Sequence, residues 1–140
     1  MQRLMSFVQS TSRNHLVFTD GCLDGFQYVN VGLELSTQIE DLLSHRRLSL
    51  KAQDIINDLF SKRIMKSEHL GSYLALQNIG ILFEPLLRFD LEALFNKWSQ
   101  NHLLVIDRGK GCVRDERFFL VENRDVKFSV DLSSLNYFIL

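Results

Sequence analysis

The chain has 140 residues, 46% of them hydrophobic and 24% charged, and a formal net charge of -1. That length gives a single domain over residues 1–140, able to hide roughly two thirds of its unfolded surface. The small net charge excludes a global field that would draw it to nucleic acid or membrane, and no apolar run approaches the roughly 20 residues that span a bilayer. The N-terminus MQRLMSFVQSTSRN lacks the apolar core of a signal peptide. Cys22 and Cys112 match no zinc or redox spacing. A soluble, cytoplasmic protein is expected, with ordinary thiols favoured over a disulfide, which stays open.

Leu4, Met5 and Val8 fall at helical spacing, so residues 2–11 predict a short amphipathic helix. HLVF (15–18) reads as a buried strand. YVNVGLEL (28–35) reads as a second strand that runs into a loop, with Ser36 capping a helix over TQIEDLLSH. SLKAQDIINDLFSKRI (49–64) is the clearest helix, with Ile55, Ile56, Leu59 and Phe60 on one face and Ser49 as a cap. SYLALQNIGILF (72–83) begins as a buried strand and loses its pattern near Gly80. FDLEALFNKWSQN (89–101) predicts a helix with Phe89, Leu91, Leu94, Phe95 and Trp98 inward, followed by the strand HLLVID (102–107) and a GKG turn. RFFLVEN and VKFSVDL read as strands, and LNYFIL as a strand or packed tail. Alternating strands and helices up to residue 107 predict an α/β domain with a small, mainly parallel central sheet flanked by helices. The last third predicts an antiparallel addition.

The stretch VFTDGCLDGFQYVNV (17–31) places a Gly-bearing loop after a strand. A P-loop, G-x-x-x-x-G-K-[ST], wraps phosphates with backbone N–H groups, neutralises them with its Lys and holds Mg²⁺ with its hydroxyl. Here Gly21 and Gly25 are four positions apart, and Phe26 and Gln27 follow where the Lys and hydroxyl should stand. Asp20 and Asp24 would each repel a polyanion by about 1–4 kcal/mol at surface-like dielectric. Nine residues separate Phe18 from Tyr28, and a parallel crossover with its own helix needs about a dozen or more. The loop therefore reads as a connection or hairpin between two strands, with no cofactor bound.

Two other stretches resemble BrxF, the small P-loop-containing protein of bacteriophage-exclusion (BREX) defence systems. YVNVGLELSTQIEDLL (28–43) is similar to its N-x-x-L-E-L-S phrase, through Asn30, Leu33, Glu34, Leu35 and Ser36. LALQNIGILFEPLLRFDLEALFNKWSQNHLLVI (74–106) resembles its second signature, a strand with an acidic ATPase motif, an ILF-acid-P phrase, a helix and a polar turn into another strand. Asn78, Ile81, Leu82, Phe83, Glu84 and Pro85 match, as do Leu91, Ser99 and Asn101. The resemblance spans residues 15–107.

The departures from that family matter as much as the matches. The phosphate loop and its helix are absent. The aspartate ending the catalytic strand falls at Gln77, the following glutamate at Gly80, and the basic residue after the helix at Gln100 or His102. Carboxylates at such positions hold Mg²⁺ and orient water. The resemblance thus implies a degenerate P-loop-NTPase-like fold, a bacterial pseudo-ATPase that keeps its scaffold and an interaction surface.

His15, His45, His69 and His102 show no metal-binding spacing. Neither cysteine sits in a nucleophile motif, although Cys112 beside His102 would be the one Cys–His arrangement to seek. HRR (45–47) and KRIMK (62–66) flank the clearest helix. They read as a solvated face or as a DNA-contacting patch of Arg46, Arg47, Lys62, Arg63 and Lys66. FEPLLRF (83–89) reads as a core turn or as a docking surface, with Phe83, Leu86, Leu87 and Trp98 as anchors or their immediate support. The expectation is a non-enzymatic, non-catalytic subunit of an anti-phage, BREX-like defence complex that binds other defence proteins. No metal, cofactor or membrane is expected, and self-association stays open. The alternative is a DNA-binding accessory module using the basic clusters.

Overall fold

The computed structural model describes residues 2–140. Its first half runs α1 (Gln2–Val8), β1 (Leu16–Thr19), β2 (Tyr28–Asn30), α2 (Val31–Ile39), α3 (Leu48–Lys62), β3 (Met65–Ser67) and β4 (Gly71–Gln77). Two 3-10 turns, Ile79–Phe83 and Pro85–Leu87, lead to α4 (Leu91–Gln100) and β5 (Leu103–Asp107). The chain ends with β6 (Cys112–Arg114), β7 (Arg117–Phe119), β8 (Ser129–Asp131) and β9 (Tyr137–Ile139).

Continuous apolar runs, buried on both faces, become parallel strands. β1, β2, β4, β5 and β9 form one parallel sheet in the order β2-β4-β5-β1-β9. β1 lies between β5, with Leu16 opposite Leu104, and β9, with Leu16 opposite Tyr137. β3 adds antiparallel to β4, Met65 opposite Tyr73. It takes the lower half of the β4 edge whose upper half β2 occupies, Asn30 opposite Gln77.

The alternation of side chains sorts the core into two layers. Leu16, Phe18, Leu74, Leu76, Leu104 and Ile106 pack with the buried faces of α2, α3 and α4. Val17, Tyr73, Ala75, Leu103 and Val105 face the other way, where Leu4, Phe7 and Val8 of α1 and Phe26 of the β1–β2 loop cover them. α3 and α4 form because their apolar residues recur at three and four: Leu48, Ala52, Ile56, Leu59 and Phe60 in one, Leu91, Leu94, Phe95 and Trp98 in the other. Asp90 caps α4, its side chain accepting from Ala93 N at 3.1 Å.

The α/β architecture with a mainly parallel sheet agrees with the sequence pattern, and several details differ. The second strand stops at Asn30, and helix begins at Val31 instead of after Ser36. Asn30 is the cap, its Oδ1 accepting from Leu33 N at 3.1 Å, while Ser36 lies within the helix and donates to Leu33 O. Ser49 is likewise inside α3, whose first flanking residue is Arg47.

β6, β7 and β8 form the expected antiparallel addition, anchored where Phe118 stacks on Phe18 with centroids 5.1 Å apart. β9, however, returns to the main sheet beside β1. Among the described residues no helix is long and apolar enough to cross a membrane.

Candidate functional site

In an open α/β sheet, ligands bind beyond the carboxyl ends of the strands, where successive connections diverge. Here that place lies above β1 and β5. The chain leaves β1 toward β2 on one side, and leaves β5 toward β9 on the other. Thr19, Gln77 and Asp107 end the three central strands there.

The loop 20–27 closes this edge with its own groups. Asp107 Oδ1 accepts from Gly21 N at 3.1 Å and from Gly109 N at 2.9 Å. The Cys22 thiol reaches Gln77 Oε1 at 3.2 Å and Asp107 Oδ2 at 3.7 Å. Leu23 N donates to the Tyr28 hydroxyl at 3.1 Å, and Gln27 N to the Tyr73 hydroxyl at 3.1 Å. Phe26 sets its ring edge-on to Tyr73, centroids 4.9 Å apart. A phosphate loop turns its N–H groups toward an anion. This loop gives the N–H groups of Gly21, Leu23 and Gln27 to a carboxylate and two phenols. The loop carboxylate Asp20 is itself paired with Arg108 at 3.4 Å.

The loop is a connection and not a hairpin. β1 and β2 are parallel members of one sheet with β5 and β4 between them. A helix-free crossover over residues 20–27 suffices because β2 is only three residues long and pairs with the upper end of β4. Phe26 covers with one ring the sheet face that a crossover helix would cover with a stripe.

Slight desolvation and the neighbouring Asp107 carboxylate raise the exposed Cys22 thiol above its usual range, away from the thiolate form that attacks as a nucleophile.

The two phrases that carry the BrxF resemblance meet at this edge. Asn78 Nδ2 donates to Asn30 Oδ1 at 2.9 Å, and Gly32 N donates to Asn78 O at 2.9 Å. Asn78 takes a left-handed backbone, φ 54°, which asparagine tolerates better than most residues. A Cβ on Gly32 would lie 2.4 Å from Asn78 Nδ2 and 3.1 Å from Asn78 O, so any side chain there must displace the Asn78 amide from Asn30. Gly32→Ala should therefore cost about 1–3 kcal/mol of stability. Asn78→Ala in the same chain should recover part of that cost, as read by denaturant titration of the single and double variants. Strict additivity of the two changes would refute the contact as the cause.

Gln77 and Gly80, where the BrxF resemblance would place acids, lie at and just beyond the end of β4, Gln77 beside Cys22 and Gly80 in the 3-10 turn. The Cys112–His102 arrangement does not form. The two residues flank opposite ends of β5, and His102 Nδ1 is 2.8 Å from Ser72 Oγ. Among the described residues no group of three or more His, Cys, Asp or Glu could hold a metal ion.

The FEPLLRF phrase divides between core and surface. Phe83, Leu87 and Trp98 are buried, so as the fold stands they support a surface instead of forming it. Phe83 packs against Phe118, and Trp98 meets Phe60 edge-on at 5.5 Å. Leu86 alone stands out, 66% exposed. Pro85–Leu87 is a single turn, and burying Leu87 turns its neighbour outward.

The basic residues do not gather into one patch. Arg46 and Arg47 precede α3 while Lys62 and Arg63 end it, about 22 Å away along the helix axis. Lys62 pairs with Asp58 at 2.9 Å, Arg63 pairs with Glu34, and Lys66 is exposed on β3.

No family model, curated protein or solved structure matches the chain.

Sequence reasoning singled out Leu86 but missed Asp107, Tyr28 and Tyr73, which close the upper edge. The signal for Asp107 was its place as a polar residue ending a buried strand.

Proposed function

We propose that this protein is a non-catalytic subunit of an anti-phage defence complex of the BREX kind, working in the cytoplasm by binding other proteins. The fold is read as a degenerate relative of the P-loop ATPases, with β1 as the strand whose phosphate loop has been lost. One observation carries this reading: three N–H groups of the β1–β2 loop, those of Gly21, Leu23 and Gln27, are given to Asp107, Tyr28 and Tyr73. The crevice in which such a fold would hold a nucleotide is thereby occupied by the chain's own side chains. The two BrxF-like phrases support it further. They are spent on one structural junction, Asn30–Gly32–Asn78, which needs no nucleotide. At the surface they leave Leu33 on α2 and the turn bearing Leu86.

The test is calorimetry with ATP and Mg²⁺, which should show no binding. A dissociation constant below about 100 µM, roughly -5.5 kcal/mol, would overturn the reading. Alongside it, Leu86→Ala should leave stability nearly unchanged and remove co-purification with partner proteins.

A further inference from the structure

β9 closes one side of the parallel sheet, and among the described residues no strand pairs with its outer edge. The register fixes which of its backbone groups point outward. Leu140 N donates to Phe18 O at 3.0 Å, and Phe18 lies opposite Ile139. Backbone groups alternate in direction along a strand, so Phe138 and Leu140 turn theirs toward β1. The N–H and C=O groups of Tyr137 and Ile139 face away from the sheet. None of these four has a hydrogen-bond partner among the described residues.

Sheet edges that stay free are commonly blunted by a charge or a proline. At the far side of the sheet β3 carries the exposed Lys66. From Ser133 to Leu140 there is neither a charged residue nor a proline, and the Ile139 side chain is 50% exposed. Outward groups in this spacing are the complement of another extended chain. A two-fold axis at Phe138 sets Tyr137 of each copy opposite Ile139 of the other in antiparallel register. Such pairs exchange both N–H···O bonds, so all four groups on each copy are satisfied. Phe138 then meets its own copy on one face of the sheet, and Tyr137 meets Ile139 twice on the other. Aromatic pairs and aromatic pairs with β-branched residues are favourable at such cross-strand positions. A two-fold contact sets a strand against itself, where like charges would repel; this strand has none.

We propose that β9 pairs antiparallel with β9 of a second copy, joining two sheets into one. Arg3, exposed and 5.9 Å from the Phe138 ring centroid, rims the contact. The contact uses no residue of the Leu86 turn and stands whatever binds there.

Sedimentation equilibrium of the intact chain tests it over about 1–300 µM, since association shows as concentration dependence. The mass should rise toward twice 16.3 kDa. Ile139→Pro deletes an outward N–H and leaves the bonds of Phe138 and Leu140 to β1 in place; strands tolerate proline where the N–H faces solvent. It should weaken association by about tenfold or more, because each copy loses a hydrogen bond, with the melting midpoint of the single chain nearly unchanged. Leu86→Ala should leave the dimer as it is. Amide exchange of the natural chain gives a second readout that needs no variant. The Tyr137 and Ile139 amides should exchange freely in dilute solution and slow severalfold with concentration, whereas those of Phe138 and Leu140 stay protected throughout.

A single-chain mass for the natural sequence across the whole range overturns the proposal. So does a dimer in which the Tyr137 and Ile139 amides stay unprotected, or a folded Ile139→Pro chain that pairs as tightly as the natural one.

Discussion

Trp98→Ala should lower the unfolding free energy by about 3–5 kcal/mol, whereas Leu86→Ala should change it by less than about 0.5 kcal/mol. Leu86 lies within the FEPLLRF phrase and Trp98 on the helix that follows it, and their surroundings separate them. Trp98 projects from α4 into the layer between α3 and the sheet, 7% exposed, with its ring edge-on to Phe60. Truncating it removes a large apolar surface and leaves a cavity that two helices and a sheet cannot close. Its indole N–H has no hydrogen-bond partner among the described residues, so packing dominates the loss. The Lys97 ammonium, 5.2 Å from the ring centroid, loses its aromatic face at the same time. Phe83→Ala and Leu87→Ala should fall in the range of about 2–5 kcal/mol for the same reason. Denaturant titration with an unchanged slope decides the matter. A loss below about 1 kcal/mol for Trp98→Ala would mean that α4 does not seal the core as described.

Gly111→Ala should be the most damaging change at any glycine, about 2–3 kcal/mol. Gly111 is not held in a left-handed backbone, so conformational freedom is not the reason. The added Cβ would sit 2.4 Å from Phe119 O and 3.0 Å from both Arg108 O and Leu120 O. These are backbone carbonyls, and they cannot turn aside as a side-chain tip can. The turn is further tightened by Gly111 N donating to Arg108 O at 2.7 Å. Relieving the clash would pull the β6–β7–β8 sheet away from the end of β5. Gly80→Ala is the control, since its Cβ would meet only Leu120 Cδ2 at 3.9 Å and should be tolerated. Equal effects at the two glycines would contradict the account.

How far the sequence reached depended on how local each cause is. β1, β4 and β5 were legible because strands buried on both faces are continuous apolar runs. α3 and α4 were legible from their spacing. The start of α2 was not: Val31, Leu33 and Leu35 alternate as a strand would, and Gly32 argues against helix. The decision lies in the cap at Asn30 and in the close passage of Asn78, which is 48 residues away.

The β6–β7 hairpin hid for a different reason. Asp115 and Glu116 both take positive φ, where Asn and Gly are the residues that signal such a turn. At the candidate site, the absence of a phosphate loop could be read from the missing Lys and hydroxyl. What fills the place could not be, because Gly21 meets Asp107 and Gln27 meets Tyr73 across 86 and 46 residues. Leu86 could not be told from Leu87 by type, since a single turn decides which one points inward.

The position of β1 also sets the order in which the molecule can fold. Its neighbours in the sheet are β5 and β9, so Leu16 waits for Leu104 and then for Tyr137. On a ribosome, β1 emerges long before either partner exists. β2, β4 and β5, with the helices between them, can assemble first from nearer pairings. β1 must then be inserted into a place held open for it, at the entropic cost of closing the longest loops in the chain. Until that happens the edge of β5 is an unpaired template, and the nascent chain is most exposed to mispairing with its copies in that interval.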